Sequence, residues 1–386
     1  AGLRVVLFVS DREKEDYKKE FARDGVEIAS IPPIRYTRLY SFLITVSRSA
    51  FHARLNKWGH WGELYLVVGL PFWKICIYRV VAYALGTVPG IARLVQTIVR
   101  FLVVRIPSST ELKNVFEIYK PDFVFATSAT FTSFDVPVMS EARKRGITVV
   151  AGLRGWDALS NMNFLLLHPD HLLVQSEYVK DMAVKYHFMP SPRVTVVGFP
   201  HFDWYTKKEL VVPRAEFLKR FGIDPAKRMI LFAAAGGIWA DREADLALVF
   251  NDLVEQKKIP DDVILVFRHH PLRTQGLEKL EGLRFVILDT VQPRDLPGPG
   301  DPEGDRVDFV HKFNSLYYSV MVVTTLGTIV LDAVALDKPV VALAFDGKKK
   351  YPYAKSLRRM FSGACLDWSE VAKCGGMRMV FSPEEF

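Results

Sequence analysis

The segment Arg154-Gly-Trp156-Asp157 places a cation, an indole and a carboxylate together in one short loop. It follows a predicted strand, residues 147–150, and this combination has no obvious role in packing. Asp157 is therefore a candidate general base, which would take a proton from a hydroxyl group. The alternative is that Asp157 pairs with Arg154 or caps the following turn. The sequence leaves both roles open.

The stretch from Thr324 to Thr328, Thr-Thr-Leu-Gly-Thr, lies between a predicted strand and a predicted helix. The first turn of a helix has backbone N–H groups without intrahelical partners, and here hydroxyl groups flank them. Such a turn favours an anion, and a diphosphate would fit it. Threonines at this position can equally serve as ordinary helix caps, so the prediction needs support from other residues.

Two further segments of the C-terminal half predict phosphate contacts. Gly236 and Gly237 separate a predicted strand from a predicted helix, which is a weak motif for a phosphate-binding loop. Arg268, His269 and His270 follow another predicted strand. Arginine can hold phosphate as a fork, and histidine can donate to phosphate or stabilise leaving charge. A metal site at the two histidines is the weaker alternative, because consecutive residues on a strand point to opposite faces.

Strands and helices alternate through most of the chain, which predicts an α/β fold with doubly wound parallel sheets. In such sheets the ligand lies beyond the carboxyl ends of the strands. Asp11 follows the strand at residues 3–9 and is a further candidate, with a plain helix cap as its alternative role. The length of 386 residues favours two domains, and the turn-rich loop at residues 198–205 indicates their boundary. We therefore predict Rossmann-like domains at residues 1–205 and 206–386.

A basic segment, residues 35–106, interrupts the α/β pattern. The formal net charge of the chain is +8, and between Ile28 and Thr110 there are ten basic residues but a single acidic one. Two apolar runs, residues 64–73 and 80–92, lie among these charges, and neither reaches the roughly 20 apolar residues of a membrane-spanning helix. We predict a basic amphipathic helical insertion that binds an anionic membrane surface. The side chains assigned to this surface are Trp73, Lys74, Arg79, Arg93, Arg100 and Arg105.

Three other roles for the basic segment stay open: a core insertion, a protein interface and a nucleic-acid surface. The last is disfavoured because nucleic-acid binding does not require long aliphatic runs. The three cysteines are too few and too scattered for a disulfide framework or a zinc site. The N-terminus opens on a strand pattern rather than a signal peptide, so we expect an intracellular protein.

These segments together resemble the GT-B glycosyltransferases, in particular the bacterial surface-polysaccharide branch that also includes the CDP-glycerol glycerophosphotransferases. The resemblance covers roughly residues 120–345. The rest of the chain matches only in its predicted fold. The matching segments are Trp156-Asp157-Ala-Leu-Ser160, Ser176-Glu-Tyr, Gly198-Phe-Pro-His-Phe-Asp203, Arg268-His-His-Pro271, and Thr324-Thr-Leu-Gly-Thr328 followed by Asp332 and Asp337-Lys-Pro339.

The resemblance implies two Rossmann-like domains that face a cleft, with a nucleotide-activated donor on the C-terminal domain and an acceptor on the N-terminal one. Asp332 would contact the sugar or ribose of the donor, and Asp157 or His201 would be the catalytic base. The donor-binding candidates are Gly236, Gly237, Arg268, His269, His270, Thr324, Thr325, Gly327, Thr328 and Asp332, and the acceptor-binding candidates are Asp11, Arg154 and Trp156.

The expected function is that of a metal-independent glycosyltransferase, peripheral to the cytoplasmic face of the membrane. It would move a sugar from a nucleotide-diphosphate-activated donor to a lipid-linked or polysaccharide acceptor. No Asp-x-Asp motif supports a metal-bridged diphosphate, and no cofactor, metal or nucleic-acid partner is expected. Three alternatives stay open: a CDP-glycerol-type glycerophosphotransferase, a sugar-nucleotide 2-epimerase and a non-catalytic lipid-binding scaffold. The epimerase is disfavoured because it has little use for a basic amphipathic insertion.

Overall fold

A computed structural model of the chain has two compact units, Ala1–Phe199 (unit 1) and Pro200–Phe386 (unit 2). The structure describes residues 2–9, 14–21, 25–32, 34, 37–54, 80, 83–84, 88–130, 134–161, 164–235, 240–270, 275–289, 306–325, 327–347, 349, 351, 356–359 and 371–386. The predicted site residues that lie outside these ranges are Asp11, Trp73, Lys74, Arg79, Gly236 and Gly237.

Unit 1 contains parallel strands in two described sheets. The strands are β1 (Val5–Val9), β2 (Val26–Ser30), β3 (Phe123–Ala126), β4 (Thr148–Ala151), β5 (His171–Val174) and β6 (Val194–Val196). β1 pairs with β2, and the other four form a sheet in the order β3-β4-β5-β6. Tyr119, on the helix that leads into β3, donates its hydroxyl to Glu27 Oε1 at 3.0 Å and packs edge-on against Phe8. Side chains therefore connect the β1–β2 pair to the rest of unit 1.

Two of the helices described in unit 1 begin at a serine whose side chain caps the first turn. The described helices are Lys14–Phe21, Arg38–Arg54, Pro89–Arg105, Thr110–Tyr119, Asp135–Lys144, Ala158–Asn161 and Glu177–His187, with a 3-10 turn at Ser191–Arg193. Ser109 accepts a hydrogen bond from Leu112 N at 3.2 Å, and Ser176 accepts one from Val179 N at 3.3 Å. These two serines are side-chain N-caps.

Two helices of the predicted insertion, Arg38–Arg54 and Pro89–Arg105, contact each other. Phe51 of the first helix is fully buried, with its ring centroid 4.5 Å from that of His187 and 6.0 Å from that of Phe164. The helix Arg38–Arg54 therefore packs against the part of unit 1 that contains Phe164 and His187. No helix in the ranges given above is both long and apolar enough to cross a membrane.

Arg100, which the charge pattern assigns to the lipid surface, points into unit 1 instead. Its guanidinium donates to Leu165 O at 3.3 Å and to His187 O at 2.7 Å, and lies 4.5 Å from the centroid of the Phe164 ring. Burial, followed by the charge of Arg143, lowers the pKa of Arg100 to about 9. Arg100 is therefore an internal anchor of its helix and not a lipid contact.

Unit 2 has one six-stranded parallel sheet in the order β12-β11-β10-β7-β8-β9. Its strands are β7 (Arg228–Ala233), β8 (Val263–Arg268), β9 (Val286–Asp289), β10 (Ser319–Thr324), β11 (Val340–Leu343) and β12 (Met377–Val380). β8 is buried along its whole length. A parallel strand covered on both faces reads as a continuous apolar run, and this explains the sequence Val-Ile-Leu-Val-Phe at its start.

The helices described in unit 2 cover this sheet. They are Arg214–Lys219, Ala240–Glu255, Arg306–Tyr318, Ile329–Ala335 and Leu357–Arg359, with 3-10 turns at Pro200–Thr206, Lys208–Leu210, Leu277–Leu280 and Pro383–Glu385. The core includes Phe217, Phe232, Phe250 and Phe267, each at most 1% exposed. The predicted fold class, with two Rossmann-like α/β units, is confirmed.

Candidate functional site

Two of the predicted donor segments end at the carboxyl edge of the unit 2 sheet. Ala233, the last residue of β7, is in register with Thr324 of β10 on one side and with Arg268 of β8 on the other. Strand ends that are 35 and 91 residues apart in the sequence therefore lie side by side. This is the edge at which doubly wound sheets bind ligands.

The three predicted phosphate-binding threonines differ in their surroundings. Thr324 and Thr325 are fully buried, whereas Thr328 is exposed and its side chain makes no capping hydrogen bond. The Thr325 hydroxyl donates its proton to Glu243 Oε1 and so cannot donate it to a phosphate. Of the three hydroxyl groups, only that of Thr328 belongs to an exposed residue.

Glu243 is a site residue that sequence reasoning missed. It is 1% exposed, and its Oε1 atom accepts from Ala235 N at 2.6 Å as well as from Thr325. A signal was present: Glu243 stands four residues before Ala247 and seven before Phe250, on the apolar stripe of its helix. A carboxylate in such a stripe is rarely buried without partners.

Arg268 is committed to a charge network inside unit 2. It is 8% exposed, and its Nη1 atom lies 3.2 Å from Asp289 Oδ2. Asp289 also pairs with His311, whose Nε2 atom is 2.9 Å from the carboxylate. Burial raises the pKa of Asp289, but hydrogen bonding and charge from His311, with the charge of Arg268, outweigh it and the net shift is downward. Sequence reasoning missed Asp289 and His311, because the pairing of β8 with β9 brings Asp289 to Arg268, and the packing of the helix Arg306–Tyr318 brings His311 to Asp289.

The two histidines after β8 have different access. His269 is 6% exposed, and its Nδ1 atom lies 2.9 Å from His270 O. The side chain of His270 is half-buried. Of the two predicted donor contacts, His270 is therefore the one placed to reach a ligand.

Asp332 lies 5% exposed among partners from two other segments of unit 2. Its Oδ1 atom is 3.4 Å from His201 Nε2, and its Oδ2 atom is 3.3 Å from Lys312 Nζ. Burial raises the pKa of Asp332, but His201, Lys312 and Tyr205 lower it by more. The net shift is downward, so the carboxyl stays ionised to a lower pH than usual. The Asp332 carboxylate is thus buried and paired with His201, whereas His201 itself is exposed.

The candidate base in unit 1 is held by a tight turn after β4. The Asp157 carbonyl accepts from Ser160 N at 3.0 Å and from Ser160 Oγ at 2.9 Å. A Cβ atom at Gly155 would lie 2.9 Å from Asp157 Oδ1, so glycine lets the carboxylate fold back over the turn. Arg154 is exposed and Asp157 half-buried, whereas Trp156 is 7% exposed, so most of its indole serves packing.

A buried carboxyl supports the loop after β3, beside this turn. Ala129 N donates to Gly152 O at 3.0 Å, which joins the two loops. Asp135 is 7% exposed and accepts from Ser128 N at 3.4 Å. Burial raises the pKa of Asp135 to about 6, although hydrogen bonds from the loop backbone act in the opposite direction. Sequence reasoning did not single out Asp135, since its position resembles an ordinary helix start.

The helix Pro89–Arg105 has an exposed apolar stripe. Ile91, Leu94, Ile98 and Phe101 recur at helical spacing and are 39 to 58% exposed. Arg93 and Arg105 are also exposed, and the Arg105 guanidinium packs 3.2 Å from the centroid of the Phe101 ring. These two arginines, unlike Arg100, remain available at the surface.

Comparisons with solved structures give distant likenesses. A putative UDP-N-acetylglucosamine 2-epimerase from Listeria monocytogenes is 17% identical, with a TM-score of 0.46 over 75% of this chain and 68% of that one. A glycosyltransferase from Rickettsia africae is 12% identical, with a TM-score of 0.38 over 72% of each chain. The wall teichoic acid polymerase TagF is 15% identical, with a TM-score of 0.33 over 52% of this chain and 50% of that one. No curated protein matches.

The chain also matches the model of a protein family. A family model described as CDP-glycerol:poly(glycerophosphate) glycerophosphotransferase matches residues 152–360, more than half of the chain. The matched range contains Asp157 and every predicted donor residue. It confirms the predicted branch of the GT-B glycosyltransferases and the prediction of an enzyme that transfers a group. The chain belongs to the CDP-glycerol:poly(glycerophosphate) glycerophosphotransferase family.

Proposed function

We propose that this protein transfers glycerol phosphate from CDP-glycerol to a hydroxyl group of a lipid-linked or polymeric acceptor. The observation that carries the proposal is the convergence of Thr324 and Arg268 on either side of Ala233, at one sheet edge within the segment that matches the family. The description of that family supports CDP-glycerol as the donor. The acceptor is proposed from the resemblance of the sequence to enzymes that build surface polysaccharides.

The donor diphosphate would lie at the turn that follows β10. There the exposed Thr328 hydroxyl and the backbone around Gly327 offer donors to phosphate oxygens. His270, half-buried after β8, would donate to the phosphate that leaves. Arg268 would support this site indirectly, because its guanidinium is already paired with the Asp289 carboxylate.

The chemical step is a substitution at phosphorus. The acceptor oxygen forms a bond to the phosphorus that bears glycerol, and the bond from that phosphorus to the bridging oxygen breaks, so CMP leaves. Asp157 would take the proton of the acceptor hydroxyl. An acceptor held against Asp157 would gain from orientation as well as from proton transfer.

Transfer of a sugar, the function that the sequence predicts first, would use the same residues, because both donors contain a nucleotide diphosphate. In that reaction the acceptor oxygen attacks the anomeric carbon, and a nucleoside diphosphate leaves. The identity of the released nucleotide therefore separates the two functions.

The experiment incubates purified protein with CDP-glycerol, UDP-sugars or GDP-sugars and with candidate lipid-linked acceptors, and measures the nucleotide released. Acceptor-dependent release of CMP supports glycerophosphate transfer, and release of UDP or GDP supports glycosyl transfer. If no donor gives acceptor-dependent release, the proposed activity is wrong. A parallel arm with EDTA tests the proposed independence of a metal ion.

We further propose that unit 1 binds the cytoplasmic face of an anionic membrane through the helix Pro89–Arg105. The exposed stripe at Ile91, Leu94, Ile98 and Phe101 would enter the boundary of the acyl chains. Arg93 and Arg105 would lie near the headgroups. A peripheral position of this kind would bring a lipid-linked acceptor to the enzyme.

A further inference from the structure

Two adjacent charged residues, Arg242 and Glu243, are buried on the first turn of the helix Ala240–Glu255. They are 6% and 1% exposed. Burying a charge costs free energy unless the charge is paired or hydrogen-bonded. Their partners therefore show what the two residues hold in place.

Glu243 joins the ends of two neighbouring strands. One carboxylate oxygen, Oε1, accepts from Ala235 N, two residues beyond β7, and from the Thr325 hydroxyl, one residue beyond β10. β7 and β10 lie side by side in the sheet. A single acceptor atom thus fixes the start of both loops.

Arg242 reaches the next strand end in the same row. Its Nη1 atom is 3.5 Å from Asp346 Oδ1, and its guanidinium lies 3.7 Å from the centroid of the Tyr351 ring. Asp346 Oδ1 also accepts from Leu357 N at 2.7 Å. Asp346 follows β11, which pairs with β10 on the side opposite β7. Arg242 and Glu243 therefore contact the loops after three strands that are adjacent in the sheet, β7, β10 and β11.

A purely packing role does not explain this arrangement well. Replacing a buried ion pair by apolar residues is often neutral or stabilising, so the pair Arg242–Asp346 adds little stability of its own. A carboxylate would also repel a diphosphate, so Glu243 is unsuited to contact the donor itself. What Glu243 does supply is a fixed geometry for backbone and hydroxyl groups of the loops around Thr325.

We propose that Arg242 and Glu243 are positioning residues that preorganise the donor site, with the Glu243 oxygen acting as an acceptor of hydrogen bonds and not through its charge. This inference rests on the proposed function, since it takes the edge formed by β7, β10 and β11 as the place where a nucleotide diphosphate binds. Fixing these loops before the donor arrives lowers the ordering cost of binding.

The test compares Glu243→Gln with Glu243→Ala in the full chain, with CDP and CDP-glycerol as probes. Glutamine keeps an oxygen that can accept both hydrogen bonds but removes the charge. Loss of two ordinary hydrogen bonds corresponds to about a 10- to 100-fold change in an equilibrium constant. We expect Glu243→Ala to raise the Kd for CDP and the KM for CDP-glycerol by about that factor, with an unchanged KM for the acceptor. Glu243→Gln should stay within about threefold of the wild type.

Glu281→Ala is the matched control, because Glu281 is an exposed carboxylate before β9, near the opposite edge of the sheet. Thr325→Val removes the hydroxyl with little change in shape and keeps the test decisive if Glu243→Ala does not fold. We expect Thr325→Val to weaken CDP binding, and Glu243→Gln combined with Thr325→Val to add nothing further, since both changes act on one contact.

Three results would overturn the inference. Unchanged CDP binding in Glu243→Ala and in Thr325→Val would show that the contacts do not organise the donor site. Equal weakening by Glu243→Gln and Glu243→Ala would show that the charge matters and not the acceptor atom. A wild-type chain that binds no nucleotide diphosphate would remove the proposed function and the inference with it, whereas the first two results leave the proposed function intact.

Discussion

Charged residues of the candidate sites differ between the two units in how deeply they are buried. In unit 1, Asp157 is half-buried on a loop and Arg154 is exposed. In unit 2, Arg268, Asp332 and Glu243 are each at most 8% exposed and bind other side chains or backbone of the same unit. The proposed base is thus more accessible than the buried charges of unit 2. Substitution of Asp157 should therefore change catalysis, and substitution of these unit 2 charges should change donor binding or stability.

The largest effect should follow Asp157→Asn. The amide keeps the shape of the side chain but cannot take a proton, and loss of a general base costs about 10²- to 10⁴-fold in rate. We expect kcat to fall by about that factor, while the melting temperature and the Kd for CDP stay at wild-type values. Steady-state kinetics with a defined acceptor, beside calorimetry with CDP, measures both. A kcat within a few-fold of the wild type would assign Asp157 a structural role and make His201 the next candidate base.

Two buried carboxyls, one in each unit, should respond to pH in opposite ways. The raised pKa of Asp135, about 6, means that its contribution to stability is fully present below the ordinary Asp value and is lost as pH rises through 6. Asp135→Asn should therefore stabilise the protein at pH 8 by up to about 3 kcal/mol, since each pKa unit corresponds to about 1.4 kcal/mol. It should give no such gain at pH 4. Thermal melts across this range provide the measurement.

Asp289 in unit 2 provides the contrast. Its pKa is lowered, so its contribution is present above the ordinary Asp value and is lost as pH falls through the lowered one. Asp289→Asn should destabilise the protein at pH 8, where Asp135→Asn stabilises it. The same sign for both variants at pH 8 would contradict the assignment of the two carboxyls to different surroundings.

A smaller effect should come from Gly155→Ala, which removes no ionisable group. The added methyl carbon would meet Asp157 Oδ1 at 2.9 Å and push the carboxylate aside. Misplacement of a reacting group by about 1 Å can cost about 10²-fold in rate, and we expect a loss of about 10- to 100-fold in kcat with little change in melting temperature. Gly90→Ala is the control, since a Cβ there meets nothing within 4 Å. Full activity in Gly155→Ala would separate the turn from catalysis.

The smallest effect concerns arginines of one helix that differ in burial. Each cation near an anionic surface contributes about 1 kcal/mol, so Arg93→Glu with Arg105→Glu should weaken vesicle binding by about 2 kcal/mol or more. Co-sedimentation with vesicles of increasing anionic lipid, repeated at high salt, measures this. Arg100→Met should instead lower the melting temperature, because its guanidinium holds two backbone carbonyls. Equal recovery of the wild type on neutral and anionic vesicles would contradict the proposed membrane surface.

The sequence predicts most of the unit 2 fold because buried parallel strands such as β8 read as continuous apolar runs between turn signals. It also predicts that Thr324 and the Arg268 segment lie at the carboxyl ends of strands, which is the edge where ligands bind in parallel sheets. It does not predict that Asp289 pairs with both Arg268 and His311, because these contacts depend on strand order and on how a distant helix packs. For the same reason it cannot separate Arg100 from Arg93, which share one helix and one charge pattern.

The anchor at Arg100 has a consequence for rotation. Because its guanidinium is fixed to Leu165 O and His187 O, the helix Pro89–Arg105 cannot turn about its own axis without breaking both contacts. The stripe through Ile91, Leu94, Ile98 and Phe101 therefore points in one direction relative to unit 1. If a flat surface contacts that stripe, unit 1 can no longer tilt and can only rotate about the axis perpendicular to the surface. Such rotation does not change the distance of Asp157 from the surface.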